Sequence, residues 1–261
     1  MNTSNRPVAL VTGASSGIGA ALARELANHG HDLMLSARSV APMEALAVEL
    51  RGLAAAVSVI PADLAQPGAS AALVADLAAR GIEIEVLVNN AGLGAMGGFA
   101  RIDAGRNAEM LQVNIVALTE LTQALLPAML ARGRGRIMLV ASTASFIPCP
   151  NMAVYGATKA YVRSFGEALA QELHGTGISV NVLCPGTTAT NFFAVAGGTP
   201  SAVQAQRMMT ADDVAKIGYA GLARGRRVTI AGLLNRVLAF GATHAPHFLT
   251  LPAAARMMAQ D

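Results

Sequence analysis

The chain has 261 residues, and a single α/β domain accounts for that length. Hydrophobic residues make up 53% of the sequence and charged residues only 13%, which excludes an intrinsically disordered protein. The net charge is a small +3, and the arginine clusters at 132–136 and 224–227 are spaced by glycines at predicted turns. We therefore expect no nucleic-acid partner.

The N-terminal sequence MNTSNRPVALVT lacks the features of a secretory signal, so we expect a cytoplasmic protein. Polar residues interrupt every apolar run before it reaches the length of a membrane span. Cys149 and Cys184 show neither a disulfide framework nor metal-ligand spacing, which favours packing roles and predicts no metal site.

Short β-rich runs alternate with Ala/Leu-rich helical stretches along the whole chain. The predicted strands are 8–11, 32–36, 57–60, 85–89, 136–141, 178–184 and 227–230. The predicted helices are 17–29, 41–51, 68–80, 105–131, 153–174 and 211–223. This alternation predicts one α/β domain over 1–261, a Rossmann-type doubly wound parallel sheet of seven strands with helices on both faces.

Two segments stand outside this alternation. Residues 187–210 contain the turn-rich stretch GGTPSAVQAQ and are predicted to form a lid over a substrate pocket. Residues 232–261 are apolar and predict two short helices joined by a turn. For this extension, covering the pocket or contacting a second copy is favoured over a membrane surface, because its basic face is weak.

The sequence TGASSGIG follows the first strand and opens the first helix. Glycines there allow a pyrophosphate to approach the unpaired N–H groups and positive dipole of the helix start. The pattern indicates a dinucleotide site and is preferred over an ordinary strand-to-helix turn. Its cofactor-binding candidates are Gly13, Ser15, Ser16, Gly17, Ile18 and Gly19.

The second strand ends in Ser36-Ala37-Arg38, where NAD-specific proteins of this architecture usually carry an acidic residue. Ala37 leaves room for a 2′-phosphate, and Arg38 offers it a charge-assisted hydrogen bond. NADP(H) is therefore predicted in preference to NAD(H).

Further candidates follow the third and fourth strands, where the crevice of a doubly wound sheet opens. Asp63 and Leu64 would line the adenine and ribose, as would Asn90, Ala91 and Gly92. For Asp63, capping a helix that begins near Gln66 or Pro67 is an equally good interpretation.

Tyr155 and Lys159 lie four residues apart on a predicted helix and therefore share one face. A neighbouring ammonium lowers the pKa of a phenol, so the pair predicts a proton donor and acceptor. Ser142, at the end of the fifth strand, would hydrogen-bond the substrate oxygen. Taken alone, a Tyr-x-x-x-Lys spacing is weak evidence; the order of the motifs makes it informative.

Together these motifs resemble those of the short-chain dehydrogenase/reductase family, over nearly the whole chain. The matching elements are TGASSGIG, Asp63, NNAG at 89–92, Val113-Asn114, Ser142, Tyr155-x-x-x-Lys159, Pro185-Gly186 and Thr190. Two features depart from the family: Ser145, where many relatives have glycine, and the extension beyond Ile230, which makes the usual tetramer contact less secure.

The resemblance implies a catalytic tetrad of Asn114, Ser142, Tyr155 and Lys159, with Asn114 binding a water that links Lys159 to solvent. It also implies transfer of the pro-S hydride, and contacts from the segment of Pro185, Gly186, Thr188 and Thr190 to the nicotinamide. From periodicity alone, Asn114 is a polar residue within a helix, at a kink.

The sequence thus predicts an NADP(H)-dependent oxidoreductase acting on a carbonyl or secondary alcohol, working as a homodimer or homotetramer. Residues expected to line its pocket suggest an apolar substrate: Leu93, Met96, Phe146, Met152, Phe192, Phe193 and Met208. Two alternatives are a non-catalytic nucleotide-sensing or scaffold protein, and a 3-oxoacyl or lipid reductase at a membrane surface.

Overall fold

Seven short runs of apolar and β-branched residues form one sheet in the computed structural model, which describes residues 6–53, 56–199, 205–206 and 208–257. The strands are β1 (Val8–Thr12), β2 (Asp32–Ala37), β3 (Val57–Pro61), β4 (Val86–Asn89), β5 (Gly135–Val140), β6 (Ile178–Cys184) and β7 (Val228–Ile230). All neighbours pair in parallel in the order β3-β2-β1-β4-β5-β6-β7. The predicted doubly wound sheet is confirmed.

Helices connect the strands and follow the last one. They are α1 (Gly17–Asn28), α2 (Val40–Arg51), α3 (Ala69–Ala79), α4 (Ala104–Leu111), α5 (Leu118–Arg132), α6 (Ala153–Glu172), α7 (Phe192–Val195), α8 (Ala211–Ala223), α9 (Leu233–His244) and α10 (His247–Met257). The last two are the pair of short helices predicted for the C-terminal extension.

The sheet separates two apolar cores, because successive side chains of a strand point to opposite faces. In β1, Leu10 belongs to the core under α3, α5 and α6, whereas Ala9 and Val11 belong to the core under α1, α2 and α8. Burial on both faces explains why the strands read as continuous apolar runs.

The predicted helix 105–131 is interrupted. Between α4 and α5 the chain forms a π-helical segment, Gln112–Ala117, which contains the buried Asn114. A π segment inserts an extra residue into the helical repeat, and such insertions are frequent at functional sites. Periodicity predicted a kink at Asn114 but not its form.

By length and mean hydropathy, one stretch among the described residues, Ala104–Arg132, would suffice to cross a membrane. The sequence had suggested no such stretch, because polar residues interrupt it. In the protein it packs against α3, α6 and β5 as part of the domain.

The structure corrects one interpretation of Asp63. Helix α3 begins at Ala69 with Gly68 at its N-cap, so Asp63 does not cap it. The carboxylate instead accepts hydrogen bonds from the Ala65 N–H at 3.2 Å and the Gln66 side chain at 3.3 Å. Asp63 stabilises the turn that precedes the helix.

Candidate active site

The cleft opens where the strand order reverses, between β1 and β4. Thr12, at the end of β1, joins the two strand ends: its hydroxyl donates to the Val88 carbonyl and accepts from the N–H groups of Asn90 and Ala91, both at 3.1 Å. Thr12 was missed as a site residue from the sequence, although it is the first residue of TGASSGIG. It fixes the loop that would face a cofactor.

The glycine turn after β1 requires glycine for two separate reasons. Gly13 and Gly17 have φ angles of +65° and +56°, the left-handed region that side chains disfavour. At Gly19, a Cβ atom would collide with the Gly13 carbonyl oxygen and the side-chain amide of Asn90. That amide already donates to the carbonyls of Thr12 and Gly13, so Asn90 braces the turn.

The start of α1 fits a diphosphate. Ser16 occupies the N-cap without a side-chain capping bond, and the first turn contains no acidic residue. The N–H groups of that turn, from Gly17 onward, therefore keep their capacity to bind an anion. Ser15 and Ile18 are half-buried beside them, and Ser16 is exposed.

Arg38 follows β2, and its side chain is about half exposed. Its guanidinium pairs with Glu109 on α4, Nη1 to Oε1 at 3.1 Å, and lies 4.0 Å from an Asp63 oxygen. Glu109 also pairs with Arg106 at 2.8 Å. The cation predicted for a 2′-phosphate is present, but the carboxylates of Asp63 and Glu109 compete for it. Glu109 is 71 residues from Arg38, and no local pattern indicates their contact.

Leu64 and Asp63, two of the residues predicted to line the adenine and ribose, lie in different surroundings. Leu64 is buried in the core under α3, so its side chain is packed against the domain. Asp63 borders a surface cavity of about 410 Å³ together with Gln66, Glu109 and Gln112. Two of these lining residues, Asp63 and Glu109, are the ones that contact Arg38.

Tyr155 and Lys159 lie on the same face of α6, both buried. The Lys159 ammonium is 5.9 Å from the centre of the Tyr155 ring and donates to the Val140 carbonyl at 2.8 Å. Ser142 follows β5, and its side chain hydrogen-bonds the Tyr155 phenol. Three of the four residues of the implied tetrad therefore converge.

Burial governs the acid–base properties of this pair. It raises the pKa of Tyr155 to about 12, against a lowering effect of the hydrogen bond with Ser142. It lowers the pKa of Lys159 to about 8. The sequence predicted a phenol pKa lowered by Lys159; in the protein alone, the direction for the phenol is upward because desolvation outweighs the other effects.

Three hydrogen bonds hold the side chain of Asn114 in place. Its Oδ1 accepts from the Leu93 N–H at 2.8 Å, and its Nδ2 donates to the Leu93 carbonyl and to the Thr158 hydroxyl, both at 2.9 Å. Thr158, directly before Lys159, was missed from the sequence. Because both amide hydrogens are engaged, a relay water would have to donate to an oxygen of Asn114, on the side chain or on the backbone.

The segment after β6 reaches back to the glycine turn. A Cβ atom on Gly17 would meet the Thr190 side chain at 3.1 Å, and the Pro185 carbonyl accepts from the Thr143 N–H at 2.8 Å. Gly186 and the buried Thr188 lie between them, joined by a hydrogen bond. This placement connects the segment to both the cofactor turn and the Ser142 loop.

Backbone hydrogen bonds join the two ends of the predicted lid, residues 187–210. Thr188 forms a parallel bridge with Met209, and the N–H groups of Ala189 and Met209 bond across it. Its helix α7 places Phe192 against Tyr155, with ring centres 5.2 Å apart. Residues 200–204 and 207 of the lid lie outside the described part of the chain.

Most of the predicted pocket residues lie near Tyr155 in one apolar core. Leu93 and Met152 are buried in it, and Met96, Phe146 and Phe192 pack against it. Phe193 stacks edge-on against Phe192, and Met208 is half-buried farther along the lid. The polar phenol thus has apolar surroundings.

Residues 7–198 match the short chain dehydrogenase family. The putative ketoacyl reductase 1 of the granaticin polyketide synthase from Streptomyces violaceoruber is 39% identical over 190 residues, 72% of this chain and 70% of the relative.

Several solved structures resemble the protein over nearly its full length. A short-chain dehydrogenase from Sphingobium yanoikuyae in complex with NADPH has a TM-score of 0.80 and 36% identity, covering 96% of this chain and 93% of that one. A bulky-bulky ketone specific alcohol dehydrogenase from Comamonas testosteroni has a TM-score of 0.77 and 32% identity, covering 97% and 93%. A short chain dehydrogenase/reductase from Burkholderia phymatum in complex with NAD has a TM-score of 0.80 and 26% identity, covering 92% and 94%.

The sheet, the glycine turn and the match over three quarters of the sequence lead to the same assignment. The chain belongs to the short-chain dehydrogenase family and is a nicotinamide-dependent oxidoreductase of alcohols and ketones.

Proposed function

We propose that this chain transfers a hydride between NADP(H) and the carbonyl or secondary alcohol carbon of an apolar substrate, with Tyr155 as proton donor and acceptor. One observation carries the proposal: Ser142 and Lys159 converge on Tyr155 at the edge of the sheet where the glycine turn lies. Such a convergence supplies positioning, a proton and positive charge at one point.

Each residue contributes a separate step of the proton chemistry. A bound nicotinamide supplies the hydride. With a pKa near 12, the Tyr155 phenol keeps its proton at neutral pH and donates it to the alkoxide oxygen as that oxygen gains charge. Ser142 holds the same oxygen, and the Lys159 ammonium stabilises the phenolate that remains. Asn114 holds the relay water that returns a proton to the site.

Arg38 supports NADP(H) as the preferred cofactor. Arg38 follows β2, and Ala37, the last residue of that strand, leaves space for a phosphate beside the guanidinium. The NADPH complex of the relative from Sphingobium yanoikuyae agrees with this preference, whereas the relative from Burkholderia phymatum binds NAD.

The surroundings of Tyr155 support an apolar, uncharged substrate. Phe192 lies against the phenol ring, and the buried Leu93 and Met152 belong to the same cluster. The ketone specificity of the Comamonas testosteroni relative agrees with such a pocket. We propose that the segment 187–210 covers it as a lid.

We also propose that the protein is a homodimer or homotetramer. Apolar residues are exposed along α4 to α6, including Leu111, Leu130 and Tyr161. An exposed apolar surface on several neighbouring helices favours association with a second copy. The mass measured by light scattering during gel filtration tests this; a monomer at micromolar concentration would contradict it.

The central test is Tyr155→Phe, which removes only the phenol oxygen. We expect the reduction of a panel of aryl and alkyl ketones to fall by at least about three orders of magnitude, with the NADPH dissociation constant changed less than about threefold. Tyr161→Phe is the matched control, because Tyr161 lies on the same helix and its hydroxyl contacts Thr119 instead.

Two outcomes would contradict the proposal. Full activity of Tyr155→Phe would exclude Tyr155 as the proton donor. Tight NADPH binding by the unmodified protein, with no oxidation by any ketone, aldehyde or 3-oxoacyl thioester, would favour a nucleotide-binding scaffold instead.

A further inference from the structure

The two C-terminal helices have their large and small apolar residues in the reverse of the usual arrangement. In α9, Ala239 is buried against the domain, whereas Leu233, Val237 and Phe240 are 75%, 61% and 67% exposed. In α10, Ala254 is buried and Phe248 is 74% exposed. A helix of a soluble domain normally turns its large apolar residues inward.

The exposed residues of α9 form a continuous surface. Leu233, Val237 and Phe240 are spaced by four and three residues and therefore share one helical face. Leu234 and Leu238 widen that face around the helix, and both are about half exposed. With Phe248 and Leu249 of α10 they make up what we call the C-terminal apolar surface.

Charge distinguishes the partners that would cover this surface. Residues 214–260 contain no Asp or Glu, whereas Arg236 and Arg256 are exposed on α9 and α10. In a twofold dimer through the surface, these arginines would meet the same apolar helices of the second copy, which offer no carboxylate. An anionic lipid surface instead provides a counter-charge for arginine and an apolar layer for leucine and phenylalanine.

We propose that the C-terminal apolar surface docks the protein onto an anionic membrane surface, with α9 and α10 lying in the interface. Leu233, Val237 and Phe240 enter the acyl boundary, and the Arg236 guanidinium reaches the headgroup phosphates. The sequence alone favoured pocket covering or a dimer contact, because the basic face of the extension is weak. The structure adds that the large apolar residues of both helices face outward.

The docking surface adjoins the site. Helix α9 packs against the turn Thr143–Phe146 that follows Ser142. A Cβ atom on Gly186 would collide with the Asn235 side chain, which itself donates to the Ala231 carbonyl at 2.7 Å. Docking therefore brings the substrate cleft close to the lipid phase, a consequence that rests on the proposed function.

The test is sedimentation of the full-length protein with two kinds of vesicle: phosphatidylcholine alone, and phosphatidylcholine with about one third phosphatidylglycerol. We expect binding to the anionic vesicles that weakens with salt, and at least about tenfold weaker binding to the neutral ones. Equal binding to both, or none to either, would overturn the proposal.

Two variants localise the effect. Val237→Asp should reduce the affinity for anionic vesicles by about tenfold or more, because it places a charge in the centre of the surface. Val48→Asp is the matched control, because Val48 is 68% exposed on α2, away from the surface. This variant should bind anionic vesicles as the unmodified protein does. Equal losses in both variants would contradict the assignment of the surface.

Folding, activity and self-association are measured on the same variants. Val237→Asp should retain the melting temperature and the turnover of a water-soluble ketone, so a lack of turnover in all proteins would count against the proposed function and not against docking. If Val237→Asp instead converts an oligomer into a monomer while vesicle binding is absent throughout, the surface binds a second copy and the proposal is wrong.

Discussion

The ion pair between Arg38 and Glu109 makes a specific prediction about cofactor choice. For Arg38 to bind a 2′-phosphate, its contact with Glu109 at 3.1 Å must be given up. The pair is partly exposed, with 53% and 25% of the two side chains accessible, so it contributes about 0.2–1 kcal/mol. Glu109→Gln should therefore bind NADPH about 1.4- to fivefold more tightly, with the affinity for NADH unchanged.

Removing Arg38 should have the opposite effect on NADPH affinity, and a larger one. Arg38→Ala removes a charge-assisted hydrogen bond to the phosphate, which contributes about 1.5–3 kcal/mol, so NADPH affinity should fall by about tenfold or more. In the double variant, Glu109→Gln should no longer have an effect, because the group with which Glu109 competes is absent.

Titration of intrinsic or nicotinamide fluorescence with NADPH and NADH measures these affinities. Glu49→Gln is the control, since Glu49 also pairs with an arginine, Arg24, between α1 and α2. Equal tightening of NADPH and NADH by Glu109→Gln, or an effect that persists in the Arg38→Ala background, would refute the reasoning.

Two further predictions concern the glycine turn and the buried lysine. Gly19→Ala should weaken NADPH binding by about tenfold and lower the free energy of unfolding by about 1–3 kcal/mol in urea titrations, whereas Gly241→Ala, with open space around it, should do neither. Burial lowers the pKa of Lys159 from 10.5 to about 8, so the folded state loses this proton first and Lys159 contributes a rise in stability between pH 8 and 10.5. The raised pKa values of the buried Cys149 and Cys184 oppose that rise above pH 9. Lys159→Met should remove up to about 3 kcal/mol of that rise, whereas Lys216→Met, at an exposed position, should leave the rise unchanged. If the slope of the free energy of unfolding against pH stays the same in Lys159→Met, a group other than Lys159 titrates.

Much of the site was predictable from local sequence patterns. The strand runs, the glycine turn after β1 and the pairing of Tyr155 with Lys159 depend on side-chain period, backbone freedom and helix spacing, which a few neighbouring residues determine. One of the two interpretations of Asp63 was wrong, because helix α3 begins at Ala69 and not near Gln66 or Pro67. Turn residues with several local hydrogen-bonding options make such starts ambiguous.

Other features were decided only by the tertiary structure. Glu109 reaches Arg38 across 71 residues, and Thr158 meets Asn114 across 44, because the sheet order brings their elements together. The pKa of Tyr155 is raised by burial, to which Phe192, on a segment distant in sequence, contributes. The outward orientation of Leu233 and Phe240 likewise depends on which side of α9 meets the domain, and no periodicity within the helix determines that choice.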